Sequence, residues 1–188
     1  MLTLHKLDCE QTRQMYSWIE AAFPEDERRP LFMMLQLMER GLYEVLAFCE
    51  EDVPVGYALT MLPRNSRAVL LDYLVVDKNL RSKGYGSVIL AMLRTHYADR
   101  ADAVIIESEY PAGAPEPAVA SRRMGFYARA GAETLSFRVL LWGVDYSLLA
   151  LPTASSLPPA DWQAVILDIY RQTLPPVFFA AHVRLITE

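Results

Sequence analysis

The sequence is poor in residues that staple or ligate. Of 188 residues only two are cysteine, Cys9 and Cys49, and three are histidine, His5, His96 and His182. The cysteines lack metal-ligand spacing and are too few for a disulfide framework, so they read as buried or half-buried free thiols in a reducing compartment. The histidines are scattered and form no metal pair. No apolar run approaches the ~20 residues needed to cross a bilayer; the most apolar one, 139–151, is split by Asp145 and followed by Pro152. A basic-then-apolar leader is missing too, because Asp8 and Glu10 follow the first few residues closely. Positive charge is not in excess: the formal net charge of −5 argues against a general nucleic-acid binder. The expectation is a soluble, cytoplasmic protein with no metal, no membrane partner and no nucleic acid.

What is present fits an ordinary folded domain. Hydrophobic residues make up 53% and charged residues 22%, which excludes a disordered or fibrous chain. A chain of this size buries roughly 70% of its unfolded surface and folds without staples. The charge is uneven. Residues 1–52 are strongly acidic, whereas 77–100 carry Lys78, Arg81, Lys83, Arg94 and Arg100 against Asp77 and Asp99. Residues 121–138 are again basic, through Arg122, Arg123, Arg129 and Arg138. Two local basic segments on an acidic chain suit a small anionic ligand better than a long polyanion, although solvated helix faces look the same.

Periodicity and punctuation give the elements. Residues 2–6 alternate as a first strand. Asp8 with Gln11 marks a helix start, and Met15, Trp18, Ile19, Ala22 and Phe23 recur at helical spacing until Pro24. A second helix opens at Pro30 and stops at Gly41, leaving a polar hinge over 25–29 that is expected to be exposed. Strands follow at 43–50 and 55–62 around a tight turn at Glu51 and Asp52. A third strand, 68–76, has the near-continuous apolar run of a segment covered on both faces. A helix through about Tyr97, a strand at 103–109, a helix at about 118–130 and strands at 134–141 and 145–151 come next. A Pro/Ser-rich connector leads to a last amphipathic helix with Trp162, Val165, Ile166, Ile169 and Tyr170 on one face. The tail after Pro175 and Pro176 has no clear assignment. The order of elements implies an α/β or α+β domain with a mixed sheet.

The most informative segment is Arg81-Ser82-Lys83-Gly84-Tyr85-Gly86-Ser87, between an apolar strand and a helix. A helix N-terminus offers unpaired amides and the positive end of the macrodipole, which attract phosphate. Gly84 and Gly86 remove side chains that would hold a diphosphate off the backbone, and are candidates for positive φ. Arg81 and Lys83 add positive charge. A P-loop is excluded because Ser87, not lysine, follows Gly86; a dinucleotide fingerprint is excluded because Ile89 stands where a third small residue is required. A ligand-free glycine turn remains the plain alternative.

Val75-Val76-Asp77 followed by Arg81-Ser82-Lys83-Gly84-Tyr85-Gly86 resembles the acyl-CoA signature of the GNAT superfamily, the Gcn5-related N-acetyltransferases. Arg81, Gly84 and Gly86 meet the fixed positions of its Arg/Gln-x-x-Gly-x-Gly/Ala pattern. Phe126-Tyr127-Ala128-Arg129-Ala130-Gly131 resembles the Phe-Tyr-x-x-x-Gly segment that these enzymes carry on the following helix. The resemblance covers about residues 1–150. It implies a mixed, mostly antiparallel central sheet flanked by helices, a domain at 1–151 and an extension at 152–188 packed on the same domain. It departs at Ala120-Ser121-Arg122-Arg123, where many members have a cofactor-binding asparagine; Arg122 and Arg123 are either phosphate contacts or a surface pair.

The resemblance also implies roles. The diphosphate of acetyl-CoA would sit on Arg81, Ser82, Lys83, Gly84, Tyr85, Gly86 and Ser87, the pantetheine arm along Leu74, Val75 and Val76, and the Val76 amide would polarise the thioester carbonyl. An alkyl amine with pKa near ~10 is almost wholly protonated at neutral pH, so a base is needed. Glu107 and Glu109, two residues apart on one strand face, are the candidates, with Glu107 at the position some members use; the alternative is solvated strand-end carboxylates. Tyr127 would be the acid that protonates the leaving thiolate, against a plain core aromatic. The reading is an acetyl-CoA-dependent N-acetyltransferase acting on an amine by direct transfer, with a non-catalytic acyl-CoA-binding regulatory module as the alternative. A homodimer is a candidate arrangement, with 152–188 as contact or lid, and Met33, Met34 and Met38 as core or acceptor-pocket lining.

Overall fold

The computed structural model describes residues 2–187, the side chain of Asp26 excepted. Strands β1 (Thr3–Lys6), β2 (Tyr43–Glu50), β3 (Val53–Met61), β4 (Ala68–Val76), β5 (Ala103–Glu109), β6 (Glu133–Leu141), β7 (Val144–Pro152) and β8 (Val183–Thr187) are interspersed with helices, β2 to β4 and β6 to β7 running on without one between them. The helices are α1 (Cys9–Ala22), α2 (Leu31–Glu39), α3 (Tyr85–Tyr97), α4 (Pro117–Arg129), α5 (Trp162–Thr173) and α6 (Pro176–His182). The strand order in the eight-stranded sheet is β1-β2-β3-β4-β5-β7-β6-β8. The pairs β1·β2, β2·β3, β5·β7, β6·β7 and β6·β8 are antiparallel. The chain forms two compact units, Met1–Leu62 with Leu71–Met92, and Pro63–Leu70 with Leu93–Glu188.

In the first unit, α1 starts where the local chemistry dictates. The Asp8 carboxylate accepts from the Gln11 amide at 2.8 Å, and the Gln11 side chain accepts from the Asp8 amide at 3.0 Å, a reciprocal capping box. Thr12, Met15 and Ile19 form its buried stripe, and Trp18 meets Tyr57 of β3 edge-on at 4.9 Å. Glu51 and Asp52 both take positive φ at the hairpin joining β2 to β3, the backbone that a two-residue turn matching strand twist requires. Gly56 of β3 permits a close approach: a Cβ there would lie 2.6 Å from the Val75 carbonyl oxygen of β4 and 3.0 Å from Ile89 Cδ1 of α3.

The hinge expected to be exposed is so at Glu25 and Glu27 but not at Arg28 and Arg29, which are half-buried. Glu25–Glu27 form a single 3-10 turn, and the Arg29 guanidinium beyond it is buried against Asp72 of β4, Nε to Oδ2 3.0 Å, with the two side chains 11% and 10% exposed. Hydrophilic composition suggested solvent, but a buried partner far along the chain neutralises the charge. Strand β4 likewise departs from the expectation of full cover: Ala68–Leu71 are buried, whereas Asp72, Leu74 and Val76 alternate as half-buried residues on one face.

In the second unit, β5 pairs with β7 throughout, Glu107 opposite Leu148 and Glu109 opposite Tyr146. The connector after β7 is held by backbone-directed bonds: Arg94 Nε and Nη2 donate to the carbonyls of Pro152 and Ala154 at 2.8 and 3.0 Å, and Thr153 Oγ1 donates to the Ala101 carbonyl at 2.6 Å. Helix α5 then buries Trp162, Ile166, Ile169, Tyr170 and Thr173. It is not the last element. A short α6 follows, and β8 adds to the edge of β6 with Val139 opposite Leu185.

Candidate functional site

In the first unit the glycine turn grows out of β4. Asp77 donates its amide to the Val55 carbonyl at 2.9 Å, closing the sheet ladder, and its carboxylate accepts from the Asn79 amide at 2.7 Å. That side-chain bond turns the chain, as aspartate commonly does. Arg81 Nε is 3.4 Å from the Val76 carbonyl oxygen, so this arginine lies back over the strand end. Ser82 and Gly84 take φ of 63° and 88°, and the space where a Gly84 Cβ would stand is empty to 4 Å. Gly86 corrects the expectation of positive φ: it lies in the first turn of α3, so its service is the absent side chain.

The first hydrogen bonds of α3 run from the amides of Ser87 and Val88 to the Gly84 carbonyl. The amides of Tyr85 and Gly86 precede them, at the end of the helix where donors lack intrahelical partners. Residues 81–84 and Ser87 are exposed, while Ile89 and Leu90 just beyond are fully buried and anchor the helix. The Tyr85 hydroxyl donates to Glu50 at 2.7 Å, tying the turn to the end of β2; that bond pushes its pKa up. Leu74 and Val76 are half-buried and Val75 is buried. The residues expected to hold a diphosphate and a pantetheine arm are thus continuous along β4, the turn and α3.

The second unit holds the remaining candidates. Glu107 and Glu109 flank the buried Ser108 on β5 and are both half-buried. Glu107 accepts a short hydrogen bond from the Tyr170 hydroxyl of α5. Glu109 is 3.8 Å from Arg123 of α4. Arg123 therefore faces a carboxylate, and Arg122 beside it is exposed. Tyr127 is 9% exposed, more deeply set than Phe126, whose ring centroid lies 5.1 Å away. Burial pushes the Tyr127 hydroxyl pKa up, with Arg123 opposing it. The hydroxyl keeps its proton at neutral pH, as an acid must.

The sequence alone did not single out Tyr170, Gly56 or the Arg29–Asp72 pair. An isolated glycine in a strand is a recognised sign of close backbone approach, so Gly56 had a usable signal. Tyr170 showed only as one member of an apolar helix face. A groove of about 400 Å³ on the first unit, lined by residues of β1, α1, β2 and β3 such as Gln11, Trp18, Cys49 and Tyr57, touches none of the glycine-turn residues. Among the described residues no group of three or more metal-ligating side chains exists.

Residues 12–126 match the model of the acetyltransferase (GNAT) family. No curated protein matches the chain. Among solved structures, a GNAT-family protein from Bacteroides thetaiotaomicron is 16% identical with a TM-score of 0.69, covering 92% of this chain and 99% of its own. The ribosomal-protein-S18-alanine N-acetyltransferase of Escherichia coli is 16% identical with a TM-score of 0.60, over 83% and 96%. A mutant form of spermidine N-acetyltransferase from Vibrio cholerae is 8% identical with a TM-score of 0.61, over 81% and 94%. At these identities the structures are similar in fold alone, and the family match rests on the sequence. With the signature turn joining β4 to α3, the chain belongs to the GNAT acetyltransferase family.

Proposed function

We propose that the chain is an N-acetyltransferase that moves an acetyl group from acetyl-CoA to a primary amine by direct transfer. The observation that carries this is the turn itself: exposed, basic, open at Gly84 and leading straight into the start of α3. Its donor set fits a diphosphate, since amides at a helix start and an arginine both favour negative charge. Acetyl-CoA supplies a thioester, an activated acyl group. Arg81 and the amides at the start of α3 bind and orient the diphosphate. Leu74, Val75 and Val76 line the pantetheine arm, and the Val76 amide polarises the carbonyl. Glu107 or Glu109 accepts the proton of the acceptor ammonium, and Tyr127 donates its own to the leaving sulfur. Residues 1–151 form the catalytic domain, with 152–188 packed on it.

The acidic first third and the two β5 carboxylates favour a cationic acceptor. The enzymes of similar fold named above act on spermidine and on an alanine of a ribosomal protein, so both small polyamines and peptide N-termini belong in the trial. The test is a thiol-release assay with acetyl-CoA across such an amine panel. Release matched by acetylated amine is expected, with Tyr127→Phe lowering kcat by about 10²-fold or more. Binding of CoA without turnover of any amine would instead mark a regulatory acyl-CoA-binding module.

A further inference from the structure

Helix α5 lies outside the stretch that matches the family, yet it delivers a hydroxyl to a carboxylate of β5. Tyr170 is 1% exposed, so its ring is fixed by packing and its hydroxyl has little freedom to turn elsewhere. The helix that carries it is pinned at its far end. Gln172 Oε1 accepts from the Arg64 amide at 2.7 Å, and Gln172 Nε2 donates to the Arg64 carbonyl at 3.1 Å. Asp161 caps its start by accepting from the Ala164 amide at 3.1 Å. A side chain held this firmly aims its donor at one place, and the place is Glu107.

We propose that Tyr170 is a positioning residue of the transferase: it fixes one oxygen of Glu107 and keeps that carboxylate ionised and aimed to take the acceptor's proton. This rests on the functional reading above and narrows it, choosing Glu107 over Glu109 as the base. A donated hydrogen bond stabilises the charged form of a carboxylate. The bonded oxygen is held by the phenol, which leaves the carboxylate oriented for proton transfer. In that step an N–H bond of the acceptor ammonium breaks, an O–H bond forms on Glu107, and the electron pair stays on nitrogen for attack at the thioester. Glu109 is oriented differently, facing Arg123 on α4. Among the titratable and charged groups near this part of β5, Tyr170 from α5 bonds Glu107 itself, whereas Tyr146 of β7 and Arg123 of α4 lie opposite Glu109 two residues along the strand. Tyr170 is the one assigned to hold it.

The experiment compares pH profiles of kcat/KM for the full chain, Tyr170→Phe and Glu107→Gln with the amine found in the panel. Tyr170→Phe is expected to move the acidic limb up by about one pH unit, because the ionised base has lost a charge-assisted hydrogen bond. It should lower kcat roughly tenfold and leave the KM for acetyl-CoA unchanged. Incorporation of 3-fluorotyrosine at 170, a stronger donor of the same shape, is expected to move the limb the other way; this arm holds even if the phenylalanine variant folds poorly. A limb unmoved in both, with Glu107→Gln inactive, overturns the role of Tyr170 while sparing Glu107 as base. Full activity in Glu107→Gln overturns the base and Tyr170 together, and leaves acetyl transfer itself standing. If the wild type turns over no amine, the functional reading falls and takes this proposal with it.

Discussion

At the scale of single residues, Asp72 ties an arginine and a tyrosine of the first unit to its strand. Its Oδ2 accepts from Arg29 Nε at 3.0 Å and from the Tyr43 hydroxyl at 2.5 Å. Tyr73 next to it accepts from the Arg29 amide at 2.7 Å and donates to the Glu27 carbonyl at 2.9 Å. The segment between α1 and α2 is thereby fastened to the strand that leads into the glycine turn. Removing one partner of a buried pair leaves the other charge uncompensated, which costs about 3–5 kcal/mol. Asp72→Ala should therefore lower unfolding free energy by that order in urea titration, and Asp72→Asn, which keeps an acceptor for Tyr43, by less. An unchanged midpoint in Asp72→Ala would show that the pair contributes nothing. Nothing in the local sequence announced this. Arg29 sits in a run of five charged residues, and its partner lies 43 positions away. Tyr170 is hidden for the same reason, 63 positions from Glu107.

At the scale of elements, legibility tracked how local the determining chemistry is. The capping box of α1, the acidic hairpin turn at Glu51 and Asp52, and the strand at 103–109 were readable because each is decided within a few residues. The glycine turn was readable because its spacing is distinctive. Elements α6 and β8 were not, since a five-residue edge strand is specified by the neighbour it pairs with, and the tail alone shows no period. Gly56 makes an element-level claim that can be tested. A Cβ there meets the backbone of β4 rather than a movable side-chain end. Gly56→Ala should destabilise the chain by about 1–3 kcal/mol, the usual cost of overpacking, despite the better strand propensity of alanine. It should also weaken CoA binding, because β3 and β4 must shift where β4 ends in Val75 and Val76. Equal stability to the parent would contradict the close approach.

At the scale of the whole molecule, several buried phenols couple folding to pH. Burial raises the pKa of Tyr43, Tyr73 and Tyr127, with Asp72 adding to the first two and Arg123 opposing at the third. In the unfolded chain such groups ionise near pH ~10. Above that value the unfolded state has lost protons that the folded state retains, so stability present at lower pH is lost as pH rises. Each phenol that stays neutral in the fold contributes about 1.4 kcal/mol per pH unit to that loss. Urea midpoints should drop steeply from about pH 10 upward, and a flat midpoint through pH ~11 would contradict the raised values. The central claim, however, concerns one end of one helix: that the turn from Arg81 to Ser87 holds the diphosphate of coenzyme A. Calorimetric titration of CoA into the full chain tests it most directly. A saturable one-to-one heat is expected, weakened about tenfold or more in Arg81→Ala by loss of a charge-assisted bond worth about 1.5–3 kcal/mol. No heat with the parent chain, or undiminished affinity in the variant, would contradict it.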